Sequence, residues 1–299
     1  MALIQQRIQQ LVLVFSLLLL YAHAAPLRAR PAPSLPSPRD APPPAVLPTS
    51  LAPTHTTQQP SLAFPRSLAE LLRTPNSTVT PLDSIPPVCT RQTAAGGECV
   101  IGLMEAVQVT YDDCGDAWVV CRCSSDANEG PVLPMEEAVT RLGQVPVGLR
   151  RYIGTVLVLP STASGGGTPE AHAYTLTDGE IHVFGDVQVD SWVHESGHAY
   201  DWASGTPHSN STAFLSALTQ DTCVPDVYAA TSAGEDFAQL TVLLTYTLLH
   251  GDGLTLPPGW SIPCMANQWA YISTLPVFTK SELFGGTCAI DGVGKDGFS

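Results

Sequence analysis

The chain is short of positive charge. It has only two lysines, Lys280 and Lys295, and 13 Lys plus Arg stand against 27 Asp plus Glu, a formal net charge of −14 over 299 residues. From residue 67 onward the imbalance widens to 26 acidic and 8 basic groups. A surface of that sign repels phosphate backbones, which argues against nucleic-acid binding. Long apolar runs are also missing. The longest, Leu11 to Leu20, is about half of the roughly 20 residues that a bilayer span needs, so stable membrane association is not expected. No internal repeat is evident, and no dibasic processing site stands at the end of residues 25–66.

The N-terminus has the features of an export signal. Arg7 opens it, the apolar run follows, and Ala22-His23-Ala24 supplies a small-x-small cleavage pattern. Residues 1–24 therefore read as a signal peptide, and the mature protein as secreted and extracellular. Residues 25–66 are rich in Pro, Ala, Ser and Thr, with Pro42-Pro43-Pro44 near the middle. Such a stretch buries too little apolar surface to offset its ordering entropy, and reads as a disordered stalk or propeptide. The folded domain is expected over residues 67–299. Its eight cysteines are Cys89, Cys99, Cys114, Cys121, Cys123, Cys223, Cys264 and Cys288. An even count in an exported chain predicts up to four disulfides. The group from Cys89 to Cys123 is expected to pair mostly within itself, with at least one bridge joining the two halves. A zinc knuckle at Cys121-Arg122-Cys123 is the weaker alternative, because C-x-C is not the usual C-x-x-C spacing. Two sequons, Asn76-Ser77-Thr78 and Asn210-Ser211-Thr212, fit a secreted glycoprotein.

Periodicity divides the domain. A short helix is expected at Ser67 to Arg73. Strand-like alternation covers Glu98 to Tyr111, Ala117 to Cys121, Thr155 to Leu159, and a pair, Ala171 to Thr177 and Glu180 to Phe184, turning at Asp178-Gly179. Pro134 to Leu142 reads as a helix with two glutamates in its first turn, and Gly165-Gly166-Gly167 as a flexible loop. Later segments are helical: Asp190 to Trp202, Ala213 to Thr219, Glu235 to Leu249 and Cys264 to Thr274. Strands first and helices later give an α+β class, a small sheet followed by a mostly helical half.

The informative segment is Val193-His194-Glu195-Ser196-Gly197-His198-Ala199-Tyr200-Asp201-Trp202, which contains H-E-x-x-H. Residues four apart share a helix face, so His194 and His198 can reach one cation together. Neutral imidazole suits zinc, and Glu195 is placed to act as general base on a metal-bound water. Asp190 is a plausible N-cap. Gly197 suggests close approach of another backbone or a substrate, and Asp201 suggests a carboxylate orienting a ligand. The metzincin continuation H-x-x-G-x-x-H is absent: Asp201 and Ser204 stand where its Gly and His would be. Glu235, opening an apolar helix, is the best third ligand, with Asp236 and Asp226 as rivals. His172, His182, His208 and His250 form no ligand tract, which weakens a metal-scavenging reading.

These residues resemble two families. One is the fungal secreted conidiation-specific protein 13 family, with a similar H-E-x-x-H-x-x-D-W stretch and a later E-D-F-A. The other is the lethal-factor-like gluzincins, HExxH zinc metallopeptidases with H-E-x-G-H-x-x-D and a later E-x-F-A-E. The resemblance covers about residues 185–250 and extends to Cys114 through Cys123. It implies a zincin-type domain with Zn2+ on His194, His198 and Glu235, Glu195 as base, and Tyr228, seven residues before Glu235, as an oxyanion donor. Where gluzincins often have a second Glu four residues after the ligand, this chain has Gln239. The reaction implied is hydrolysis of a protein or peptide substrate. The alternative is a non-catalytic secreted protein of the spore or cell wall, or one binding a host partner, that retains the fold.

Overall fold

The computed structural model describes residues 55–59, 63–90, 99, 101–124, 131–161, 171–250, 262–285 and 288. The signal-like segment, the triple-proline region and the Gly165-Gly166-Gly167 loop lie outside them. All described residues belong to one compact unit, 45–299.

Its centre is a six-stranded mixed sheet. The strands are β2 (Ser77–Pro81), β3 (Met104–Tyr111), β4 (Cys114–Cys123), β5 (Thr155–Leu159), β6 (His172–Thr175) and β7 (Ile181–Phe184), in the order β2-β3-β4-β5-β7-β6. The β2/β3, β3/β4 and β6/β7 pairs are antiparallel, whereas β4/β5 and β5/β7 are parallel. A parallel neighbour needs a crossover, supplied between β4 and β5 by helices α3 (Met135–Gln144) and α4 (Val147–Arg150). The expected hairpin at Asp178-Gly179 is present, and Gly179 has φ +83°, a conformation that favours glycine.

Side-chain alternation gives the sheet two different faces. Val109, Trp118, Val120, Val156, Val158, Ile181 and Val183 join the main helical core. The intervening Val119, Cys121, Cys123, Leu157, Leu159 and Phe184 form a second, smaller core with Cys89 and Cys99. The disulfides Cys89–Cys121 and Cys99–Cys123 clamp that second layer, where α2 (Pro87–Thr90) contributes Cys89. Cys114–Cys288 ties the sheet to the C-terminal part, and Cys223–Cys264 lies within the helical half. The early cysteines thus pair mostly among themselves with one bridge between halves, as expected. Cys121 and Cys123 are both spent on disulfides, which rules out the zinc knuckle.

The helical half comprises α5 (Val189–Trp202), α6 (Thr212–Gln220), α7 (Ala233–His250), α8 (Ala266–Ser273) and α9 (Lys280–Gly285), following the short α1 (Leu68–Leu71) near the start of the domain. Two strands fall outside the expected pattern. β8 (Cys223–Asp226) pairs in parallel with β1 (Thr56–Gln59), aligning Gln59 with Asp226. β1 belongs to the stretch read as a disordered stalk. Phe64 also stacks on Tyr246, with ring centroids 4.1 Å apart. Backbone pairing and one aromatic contact order this end of a Pro-rich segment, so the ordered chain begins before the boundary expected at residue 67.

Candidate metal centre

Helix α5 carries the H-E-x-x-H residues against the sheet's helical face. Trp192 and Val193 are buried on its core side. Asp190 lies inside the first turn and not at the N-cap, which is Gln188. Its carboxylate accepts from the Leu68 backbone, and burial pushes its pKa up. Gly197 faces α7: a β-carbon there would meet the Thr241 side chain at 3.1 Å. The close approach expected at this glycine is therefore made by a neighbouring helix's side chain.

That close crossing brings the start of α7 to the two histidines. Ser232 ends the preceding turn, and its hydroxyl accepts from the Glu235 backbone N–H at 3.1 Å. Ser232-Ala233-Gly234-Glu235 has the spacing of a capping box. Here the glutamate side chain turns instead to the histidines. Its Oε2 lies 3.0 Å from His194 Nε2 and 3.1 Å from His198 Nε2. The two Nε2 atoms are 3.1 Å apart. His194, His198 and Glu235 are the cluster with metal-ligating potential among the described residues, their ligand atoms all within 4.8 Å of one another.

The electrostatics follow from this convergence. Burial would raise the Glu235 pKa, but the hydrogen bonds and charges of His194 and His198 outweigh it and hold the carboxyl well below the usual range. Burial would lower His198, but its bond to Glu235 and the charges of Glu195, Glu235 and Asp201 push it up to about 8. Without a metal, at least one of the two Nε2 atoms must carry a proton for these contacts to be hydrogen bonds.

The surroundings are organised. Glu195 is buried, and its Oε2 accepts from the Thr175 hydroxyl at 2.7 Å. Thr175 closes β6, the edge strand beside α5. Gln239, one turn after Glu235, places Oε1 3.2 Å from His194 Nδ1, and its Nε2 donates to Asp226 Oδ2 at 2.7 Å. Asp226 Oδ1 accepts from the Ala229 backbone at 2.8 Å. Tyr228 is half-exposed, its ring 5.5 Å from that of His194. Shielding from water, then the charges of Glu235, Glu195 and Asp226, raise its pKa, so the phenol keeps its proton.

The structure thus brings His194, His198, Glu235, Glu195 and Tyr228 into one neighbourhood. Asp226, weighed as a ligand, supports Gln239 instead. Asp236, the other rival, is fully buried and outside the cluster. Its pKa is raised well above the usual value by burial, then by Asp221 and Asp226. Asp201 accepts from the Ser209 backbone N–H and hydroxyl at 2.8 and 2.6 Å, so it braces the turn after α5 and acts on His198 only through its charge. Thr175 was not singled out in the sequence. Nothing local marks it, because its partner lies across a sheet edge.

These features define a disulfide-bonded α+β domain with a His/His/Glu cluster between two packed helices. The chain belongs to the conidiation-specific protein Con-13 family, whose model matches residues 61–281. It is 27% identical over 195 residues to conidiation-specific protein 13 of Neurospora crassa, an alignment covering 63% of this chain and 52% of the relative. The chain therefore spans about half the length of the curated relative it matches. No solved structure matches it.

Proposed function

We propose that this domain is a secreted zinc-dependent metallopeptidase of gluzincin type, acting on protein or peptide substrates. The observation that carries this reading is the convergence of His194, His198 and Glu235 within 4.8 Å beside Glu195. Two imidazoles and one carboxylate are a donor set suited to zinc. Three protein ligands would leave zinc a position for water, as in catalytic sites. When bound, zinc lowers the pKa of a coordinated water from 15.7 to about 7. Glu195, with Oε2 held by Thr175, would take the proton of the attacking water as its oxygen bonds to the scissile carbonyl carbon, and return it to the amine as the C–N bond breaks. Tyr228, protonated across the working pH range, donates to the developing oxyanion. Export is supported by the N-terminal pattern and by four disulfides using all eight cysteines.

A second reading is favoured by the family. Its named relative is described by conidiation and not by a reaction. On that reading the chain is a non-catalytic secreted protein of the spore or cell wall, or one binding a host partner, that keeps the same cluster. Zinc analysis of wild type beside His194→Ala and Glu235→Ala, followed by a peptide-hydrolysis screen with Glu195→Gln, separates the readings. The peptidase reading expects about one zinc per chain, lost in both ligand variants, and hydrolysis lost in Glu195→Gln with zinc retained. Zinc without hydrolysis in wild type favours the second reading. No zinc after reconstitution overturns the metal site.

A further inference from the structure

We propose that Asp226 is the remote anchor of the metal centre, acting through Gln239 to hold His194 with its proton on Nδ1 and its Nε2 lone pair toward the metal position. The inference rests on the proposed zinc site for its purpose, but its geometry stands independently. A carboxylate only accepts hydrogen bonds, so the Gln239 group 2.7 Å from Asp226 Oδ2 is the amide nitrogen. That orientation leaves the amide oxygen, which also only accepts, 3.2 Å from His194 Nδ1. Nδ1 must then carry a proton, which leaves Nε2, facing Glu235 and His198, as the nitrogen free for a metal once one is bound. Asp226 cannot turn away to relax this order. It is 1% exposed, and its second oxygen is held by the Ala229 backbone at 2.8 Å.

The relay accounts for the departure at position 239. In the gluzincin pattern a carboxylate follows the ligand glutamate by four residues. Here the charge lies one residue farther out, and the neutral amide transmits it. Restoring Glu at 239 would place a second carboxylate about where the Gln239 amide meets Asp226 Oδ2, 2.7 Å away. Two carboxylates at that range repel. The substitution that copies the gluzincin pattern should therefore weaken this site. Exchanging the groups, Asp226→Asn with Gln239→Glu, restores a donor facing an acceptor and should recover it. Positioning groups behind a metal-bound histidine are generally worth 10- to 100-fold in metal affinity.

The test measures zinc affinity by chelator competition for wild type, Gln239→Glu, Asp226→Asn and the double exchange. Circular dichroism checks each fold, and 15N chemical shifts of the imidazoles in metal-free Glu235→Ala, where no ligand carboxylate competes at Nε2 and at a pH where the rings are neutral, report the tautomer. We expect each single variant to lose about 10- to 100-fold in affinity, the double variant to regain most of it, and His194 in Glu235→Ala to be protonated on Nδ1. Gln239→Glu binding zinc as tightly as wild type, or a double variant no better than Gln239→Glu, overturns the relay. If wild type binds no zinc, the metal reading fails, and the tautomer decides the relay alone: an Nε2-protonated His194 overturns it.

Discussion

His198 and Glu235 share one hydrogen bond but respond to pH in opposite senses. The His198 pKa is raised from 6.5 to about 8, so its contribution to stability is complete below about 6.5 and lost as pH rises through about 8. A shift of that size corresponds to about 2 kcal/mol. The Glu235 pKa is depressed, so its contribution is present above the ordinary carboxylate range and lost as pH falls through its lowered value. Metal-free protein should therefore be most stable between about pH 5 and 6.5, measured by chemical denaturation in chelator. His198→Gln should flatten the alkaline limb. A second residue-scale expectation concerns Thr175. Its hydroxyl fixes one Glu195 oxygen at 2.7 Å. A hydrogen bond to a charged group is worth about 1.5–3 kcal/mol, or tenfold and more in rate. Thr175→Val should slow hydrolysis by about tenfold with zinc content unchanged, and Thr175→Ser should retain the rate. At this scale the sequence revealed what lies within one helical turn. His194, His198 and Glu195 follow from spacing alone. Glu235 needed the apolar character of its helix and the resemblance. Thr175, and Asp226 in its actual role, were hidden because contacts between distant segments leave no local pattern.

The joint between α5 and α7 is the element on which the site depends, since it sets the distance from both histidines to Glu235. A Gly197 β-carbon would lie 3.1 Å from the Thr241 side chain, whose hydroxyl is bonded to the Phe237 carbonyl at 3.0 Å. Gly197→Ala should therefore push the helices apart, with an overpacking cost of about 1–3 kcal/mol. Adding Thr241→Ala removes the obstructing atoms and should recover much of the loss, read as a double-mutant cycle of thermal stability and zinc affinity. The element pattern was legible where amphipathicity was strong: α3, α5, α6, α7, β5 and the β6–β7 hairpin all fall within a few residues of expectation. Short pieces escaped. β2 is fully exposed and carries no alternation to read. β8 contains a proline, and its partner β1 follows a proline-rich stretch, so composition argued against both. Since β1 aligns Gln59 with Asp226, removing residues 1–66 should lower stability and zinc affinity together. Removing only residues 1–54 should do neither.

Across the whole molecule, apart from the Cys114–Cys288 tie, the disulfides divide between two jobs, and the division can be tested. Cys89–Cys121 and Cys99–Cys123 supply four of the nine buried residues on the sheet face opposite α5. In that layer the cross-links add to a small apolar cluster that includes Val119, Leu157, Leu159 and Phe184. Cys223–Cys264 is different. Cys223 begins β8, the strand that ends at Asp226, and the bridge holds this strand to the turn before α8. The bridge closes 41 residues, which in the chain-entropy model is worth about 4 kcal/mol. Replacing either set by serines should cost stability, as removal of native disulfides typically does by about 2–5 kcal/mol. Only the Cys223→Ser, Cys264→Ser protein should also lose zinc affinity, because only that bridge restrains Asp226 and, through Gln239, His194. Denaturation midpoints and chelator competition on the two serine variants separate the effects. Equal loss of zinc affinity in both would mean that the centre depends on global rigidity and not on the strand carrying Asp226.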